Sequence, residues 1–184
     1  MHRPRVSARP EAMIGNFHRL SAYAGRVPLP IPVQRLGYRT AYRVLRVYWW
    51  IFRPRSSGVK CVLTHQDAVL LVRHTYGPRG WDLPGGSRKR GEAAEATATR
   101  EIQEELGLSV DAWRPLGKIE VVIDRHTDAL HCFHAEVGSP EIGSPPLVLD
   151  LAELSAAQWF PKQSLPHPLG RYTSAILARL DSLT

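Results

Sequence analysis

The distribution of apolar and polar positions divides this chain into a compact run of short elements and a differently built N-terminal stretch. Residues 59–64 and 68–74 are apolar, strand-like runs joined by the turn-forming His65-Gln66-Asp67. The period then changes: Ala94, Ala98, Ile102 and Leu106 recur every four residues, which at about 100° per residue predicts a helix with one apolar stripe. Strand-like runs at 116–123 and 129–137, a loop rich in Pro, Gly and Ser at 138–146, and a short strand at 157–160 follow. A C-terminal helix is expected over 171–183, with Ile176, Leu177 and Leu180 on its apolar face. Strands flanking one central helix, with a second helix at the end, suit an α/β fold in which a mixed sheet lies between helices.

Ahead of this run, residues 34–53 read as another helix. Tyr38, Ala41, Tyr42, Leu45, Tyr48, Trp49 and Phe52 fall on one side, Arg35, Arg39, Arg43 and Arg46 cluster on another, and Pro54 stops it. Pro28, Pro30 and Pro32 alternate with aliphatics and predict a short extended segment before it. The division is therefore a basic N-terminal extension over 1–57, carrying an amphipathic helix, and a compact domain over 58–184.

The central helix carries the candidate chemistry. Glu101 and Glu105 lie about 40° apart at one border of its apolar stripe, with Glu104 just beyond. A merely solvated acidic face would lie opposite the stripe. Carboxylates crowded beside it need a cation to stay ionised, and an oxygen-only cluster suits Mg²⁺ or Mn²⁺ rather than zinc. Glu92 and Glu95 are expected in the first turn, where negative charge meets the positive end of the helix dipole. Gly107 can take the left-handed conformation that closes the helix, with Leu108 folding back. Upstream, Pro84-Gly85-Gly86 forms a turn whose backbone can approach a ligand closely.

From Gly86 to Leu108 the chain reads Gly, five residues, Glu92, seven residues, Arg100-Glu101, Ile102, one residue, Glu104-Glu105, one residue, Gly107, Leu108. This pattern resembles the Nudix box of the Nudix hydrolases. The resemblance covers about 58–184 and implies that family's α/β/α sandwich and the hydrolysis of a nucleoside diphosphate linked to another moiety X. It further implies metal held by Glu101, Glu104 and Glu105 and by a carbonyl of Gly85 or Gly86, with Arg100 positioning the catalytic glutamate. The base in that family is variable, being either a glutamate of the box or an acid in a later loop. Glu153, six residues before Trp159, is the candidate, with Asp150 and Glu141 as rivals. Arg73, Arg79 and Arg88 are the candidate substrate contacts, Arg73 foremost; for at least one of Arg88, Lys89 and Arg90 a solvated turn ahead of the helix is the simpler reading. His74, His126, His131 and His134 show no metal-ligand spacing. Neither the Pro nor the Tyr that marks particular subfamilies stands near Asp124, so the resemblance leaves X open.

Charge changes the picture only for the extension. The net charge is +7, but residues 1–57 hold eleven Arg against Glu11 alone. The domain is slightly acidic, so a basic total is no argument for a nucleic-acid enzyme. The basic aromatic helix fits packing on its own domain or across a homodimer; an anionic membrane surface and RNA are the weaker readings. An RNA 5′-end pyrophosphohydrolase and a catalytically silent, nucleotide-binding Nudix-like module are the alternative functions. No apolar run approaches the ~20 residues that span a bilayer, and the N-terminus lacks a signal-peptide pattern. Cys61 and Cys132 read as buried free thiols, which fits a cytoplasmic protein. Every assigned ligand lies after Gly58, so removal of 1–57 is expected to leave the chemistry possible.

Overall fold

The computed structural model describes residues 30–52, 56–123, 126–138 and 145–182, without the side chains of 45–52, 56 and 121–128. Pro28, Pro54, Asp124 and Glu141, and the side chains of Leu45, Tyr48, Trp49, Phe52 and His126, lie outside that description. The elements in chain order are α1 (Ile31–Phe52), β1 (Ser56–His65), β2 (Ala68–His74), α2 (Ala94–Leu106), β3 (Arg114–Ile123), β4 (His126–Glu136), β5 (Leu154–Pro161) and α3 (Thr173–Asp181).

The strands form one sheet in the order β3-β4-β1-β2-β5. Only β1 and β4 pair in parallel; β1–β2, β2–β5 and β3–β4 are antiparallel. Because side chains alternate across a strand, each central strand feeds two cores. Val59, Cys61 and Leu63 of β1, with Leu70 and Val72 of β2, meet Ala98, Ile102 and Leu106 of α2. On the other face Val62, Val69 and Leu71 meet Trp81, Leu83 and Ile176 and Leu180 of α3. The result is the expected mixed sheet between helices. Cys61 and Cys132 are buried free thiols in different cores.

Several local expectations shift. Pro32 lies inside the first turn of α1 rather than in an extended segment; Val33 and Gln34 donate to the Pro30 carbonyl, and proline in a first turn costs no helical bond. The strand expected at 157–160 is twice as long, because its ladder with β2 runs from Ala68↔Pro161 to His74↔Leu154. Glu92 lies before α2, not in its first turn, which holds Glu95. At the other end Gly107 has φ 67° and donates to Gln103, closing the helix with Leu108 buried behind it.

Candidate functional site

The segment entering α2 is fixed from three sides. Lys60 donates to Asp82 Oδ2 and to the Leu83 carbonyl, both at 2.8 Å, while Asp82 Oδ1 accepts from Thr173 of α3. Burial opposes the charges of this pair, but the pairing prevails: the Lys60 pKa lies above its ordinary value and that of Asp82 below. The Gly-Gly turn is then sewn onto β1, Cys61 donating to Pro84 O and Val59 to Gly86 O. Neither glycine tolerates a side chain. At Gly85 (φ 130°) a Cβ would run into the Val59 carbonyl, and at Gly86 it would lie 2.5 Å from Glu101 Oε2. The turn thus lies directly against the carboxylates of α2.

Glu101 and Glu105 are buried, at 3% and 1% exposure, whereas Glu104 is exposed. Arg100 binds the acids together. Its Nε and Nη2 donate to the two carboxylate oxygens of Glu92 at 2.8 and 3.0 Å, and its Nη1 donates to Glu101 at 2.8 Å and Glu104 at 3.0 Å. Those bonds hold Glu92 far below the usual carboxylate range, at about 2. Burial prevails for Glu101 and Glu105. It lifts Glu101 to about 7 against the pull of Arg100, and, with the charges of Glu153 and Glu101, it lifts Glu105 well above its ordinary value. Glu105 Oε2 accepts from the Gly85 N–H at 3.1 Å, but Oε1 is buried with no hydrogen-bond partner.

Two residues, one ending β2 and one just before β5, approach the Glu105 carboxylate. Side-chain ligand atoms of His74, Glu105 and Glu153 all lie within 4.8 Å of one another. Glu153 stands just before β5 and accepts a hydrogen bond from Tyr76 Oη at 2.5 Å. His74 ends β2; burial lowers its pKa to about 4, so the imidazole is neutral at pH 7, and its Nδ1 is buried without a partner. His74 thus brings a nitrogen donor beside acids that the sequence pattern showed as an oxygen-only cluster. Its partners lie far away in sequence, and the only available signal was its position at the end of a strand facing the α2 side of the sheet.

The remaining candidates scatter. Arg73, next to His74, points to the opposite face, where its guanidinium lies 4.6 Å from the centre of the Trp81 ring. Arg79 is exposed in the loop 75–80. Arg88 donates to the Glu92 carbonyl at 2.6 and 3.2 Å and to Ser57 Oγ. Asp150 accepts from the Ala152 N–H in the turn ahead of Glu153. His134 bonds to Thr64 at 2.8 Å, and half-buried His131 lies 3.5 Å from Arg88.

The family profile of the NUDIX domain matches residues 54–180. An ADP-ribose pyrophosphatase of Mycobacterium tuberculosis is 33% identical over 94 residues, covering 50% of this chain and 44% of the relative. The human 8-oxo-dGDP phosphatase NUDT18 is 31% identical over 159 residues, 81% of this chain and 40% of the relative. The chain thus spans less than half the length of either. The crystal structure of the MutT NUDIX hydrolase from Burkholderia pseudomallei superposes with a TM-score of 0.62 at 23% identity, covering 69% of this chain and 98% of that one, which shows a shared fold.

Proposed function

The chain belongs to the NUDIX family, and on that premise we propose that it is a metal-dependent hydrolase cleaving the diphosphate of a nucleoside diphosphate linked to another group. The observation that carries this reading is the buried, partnerless Oε1 of Glu105, converging with Glu153 and His74 beside a side-chain-free turn. Buried acids and a neutral imidazole with unused lone pairs form a donor set that fits a divalent cation.

Nudix hydrolases depend on divalent metals in general. Here Glu101, Glu104 and Glu105 would hold the ion, together with the Gly85 carbonyl, since that of Gly86 already accepts from Val59. His74, whose ring nitrogen lies within 4.8 Å of a Glu105 carboxylate oxygen, would add a nitrogen to that set, which makes Mn²⁺ a better fit than Mg²⁺. When bound, the metal supplies charge neutralisation on the diphosphate and a lowered pKa for water. The protein's own residues do the rest. Arg100 fixes the orientation of Glu101 and Glu104, and Glu153, raised by burial, is poised as the base that takes a proton from the attacking water. Arg79, exposed and unengaged by any described side chain, is the phosphate contact we favour over Arg73 and Arg88, whose guanidiniums are held elsewhere. ADP-ribose-like molecules are the substrate class to try first, because the tuberculosis relative is named for that activity. A second copy of this chain, meeting across α1, is the proposed protein partner.

The test is a nucleotide library incubated with Mg²⁺ or Mn²⁺ and read for phosphate-bearing products. Hydrolysis of a diphosphate-linked compound, abolished by chelator, is expected. Full metal binding with no turnover of any compound would instead favour a silent binding module.

A further inference from the structure

We propose that α1 is a brace for the catalytic cleft: through Tyr38 and Tyr42 it clamps Tyr76, and through Tyr76 it holds Glu153 in place. The inference rests on the reading of Glu153 as the additional acid, and it runs against the expectation that the extension is dispensable for chemistry.

Glu153 lies in the turn 151–153, which is closed onto the loop after β2. Thr75 N donates to the Glu153 carbonyl and Thr75 Oγ1 to the Ala152 carbonyl, both at 2.8 Å. The carboxylate itself is held by the Tyr76 hydroxyl. Burial and the charges of Asp150 and Glu104 oppose ionisation there, and the Tyr76 bond favours it. Tyr76 stays protonated as a donor, its own pKa raised by burial and by Glu153. Removing the hydroxyl would take away the side-chain donor that fixes this carboxylate.

The loop 75–80 has no ladder of its own, so Tyr76 needs support from outside. One side comes from His74, whose ring centre lies 5.4 Å from that of Tyr76. The other side comes from α1. The Tyr38 ring lies parallel to Tyr76, 6° between planes and 5.9 Å between centres, and Tyr42 meets it at 5.5 Å. Arg39 Nε donates to the Thr75 carbonyl and Arg35 Nε to the Leu151 carbonyl. Residues 35, 38, 39 and 42 share one helical face. Arg35 and Arg39 therefore do not belong to a separate basic side, as the sequence pattern suggested; they lie beside the tyrosines and occupy carbonyls of both clamped segments. Tyr38 is the residue of α1 that is buried among those described, at 8% exposure, and it is buried on Tyr76.

Tyr38 and Tyr76 are positioning residues in this scheme; neither has to touch substrate. Four full-length variants test it: Tyr38→Ala, Tyr38→Phe, Tyr76→Phe and, as a control on the exposed side of α1, Arg43→Ala. Each is measured for kcat and KM on the hydrolysed nucleotide and, separately, for Mn²⁺ affinity by titration. Tyr38→Ala and Tyr76→Phe are each expected to lower kcat and Mn²⁺ affinity by about ten- to a hundredfold, the range for residues that support a metal site without touching the ion, with KM changed less. Tyr38→Phe keeps the stacked ring and should restore most of both, and Arg43→Ala should match wild type. A natively folded Tyr38→Ala protein with wild-type kcat and Mn²⁺ affinity would overturn the brace. If that variant does not fold, Tyr76→Phe decides, since it removes one oxygen and leaves the ring contacts. If wild type binds Mn²⁺ yet hydrolyses nothing, the hydrolase reading fails alone and the affinities still judge the brace.

Discussion

Glu105 shows how far single residues could be read from the sequence. Its spacing from Glu101 and Leu106 put it at the edge of an apolar stripe, and it is buried there with an oxygen left unpaired. Helical neighbours are legible because the period that relates them is local. His74 was not, since its companions Glu105 and Glu153 reach it only through the pairing of β2 with β5 and the packing of α2 on the sheet. Replacing Glu105 by Gln keeps shape and the acceptor for the Gly85 N–H while removing the charge. Turnover should fall by about a hundredfold or more, beyond what changes to residues that only orient metal ligands typically cost. The metal-free melting temperature should stay level or rise, because a buried, unpartnered acid has been neutralised. A Glu105→Gln protein with native circular dichroism and wild-type turnover would remove Glu105 from the proposed ligand set.

At the level of elements, α2 appeared with its apolar stripe and its glycine stop, whereas its entrance was misjudged. Glu92 does not serve the helix dipole from within the first turn; it stands outside and fixes Arg100. Strand runs were visible, but the parallel pairing of β1 with β4 was not, because register between distant strands is set by tertiary packing rather than by either pattern alone. The acids that α2 buries have a consequence for stability. Glu101 titrates at about 7 in the fold against an ordinary 4.5, so the folded state keeps a proton that the unfolded chain has released. Its contribution is complete at low pH and disappears as pH rises through 7. His74 runs the other way, from an ordinary 6.5 down to about 4, so its contribution is present above 6.5 and lost on acidification. From pH ~6.5 upward only the glutamate effect remains, and the metal-free protein should lose stability. Metal binds the ionised acids and stabilises the fold, so the rise in melting temperature caused by Mn²⁺ should be larger at pH ~8 than at pH ~6. An increment independent of pH in a thermal-shift series would exclude Glu101 from the groups that ionise on binding.

For the whole molecule, the sequence marked α1 as amphipathic and basic without indicating which side faces the domain. The inner side carries Arg35, Tyr38, Arg39 and Tyr42 onto the loops around Glu153. Val33, Leu36 and Val44 are exposed at 48%, 64% and 58%. At about 100° per residue these three fall within roughly 80° of one another, opposite Tyr38 and Tyr42. A helix apolar on two opposed sides has one more surface to cover than its own domain can reach. No helix among the described residues is long and apolar enough to cross a membrane. Arg35 and Arg39 are already bonded to carbonyls, so among the α1 arginines whose side chains are described only Arg43 is left at the border of the stripe, a sparse charge that favours a second copy over an anionic surface. A two-fold contact also needs only one self-complementary patch. The full-length protein should therefore scatter light as a dimer, and the double variant Leu36→Glu/Val44→Glu should scatter as a monomer. Since the inner face is untouched, that variant should keep wild-type kcat. A wild-type protein that is monomeric at high micromolar concentration and instead binds anionic vesicles would refute the dimer, while a monomeric variant with lowered kcat would mean that the brace on Tyr76 is completed by the partner copy.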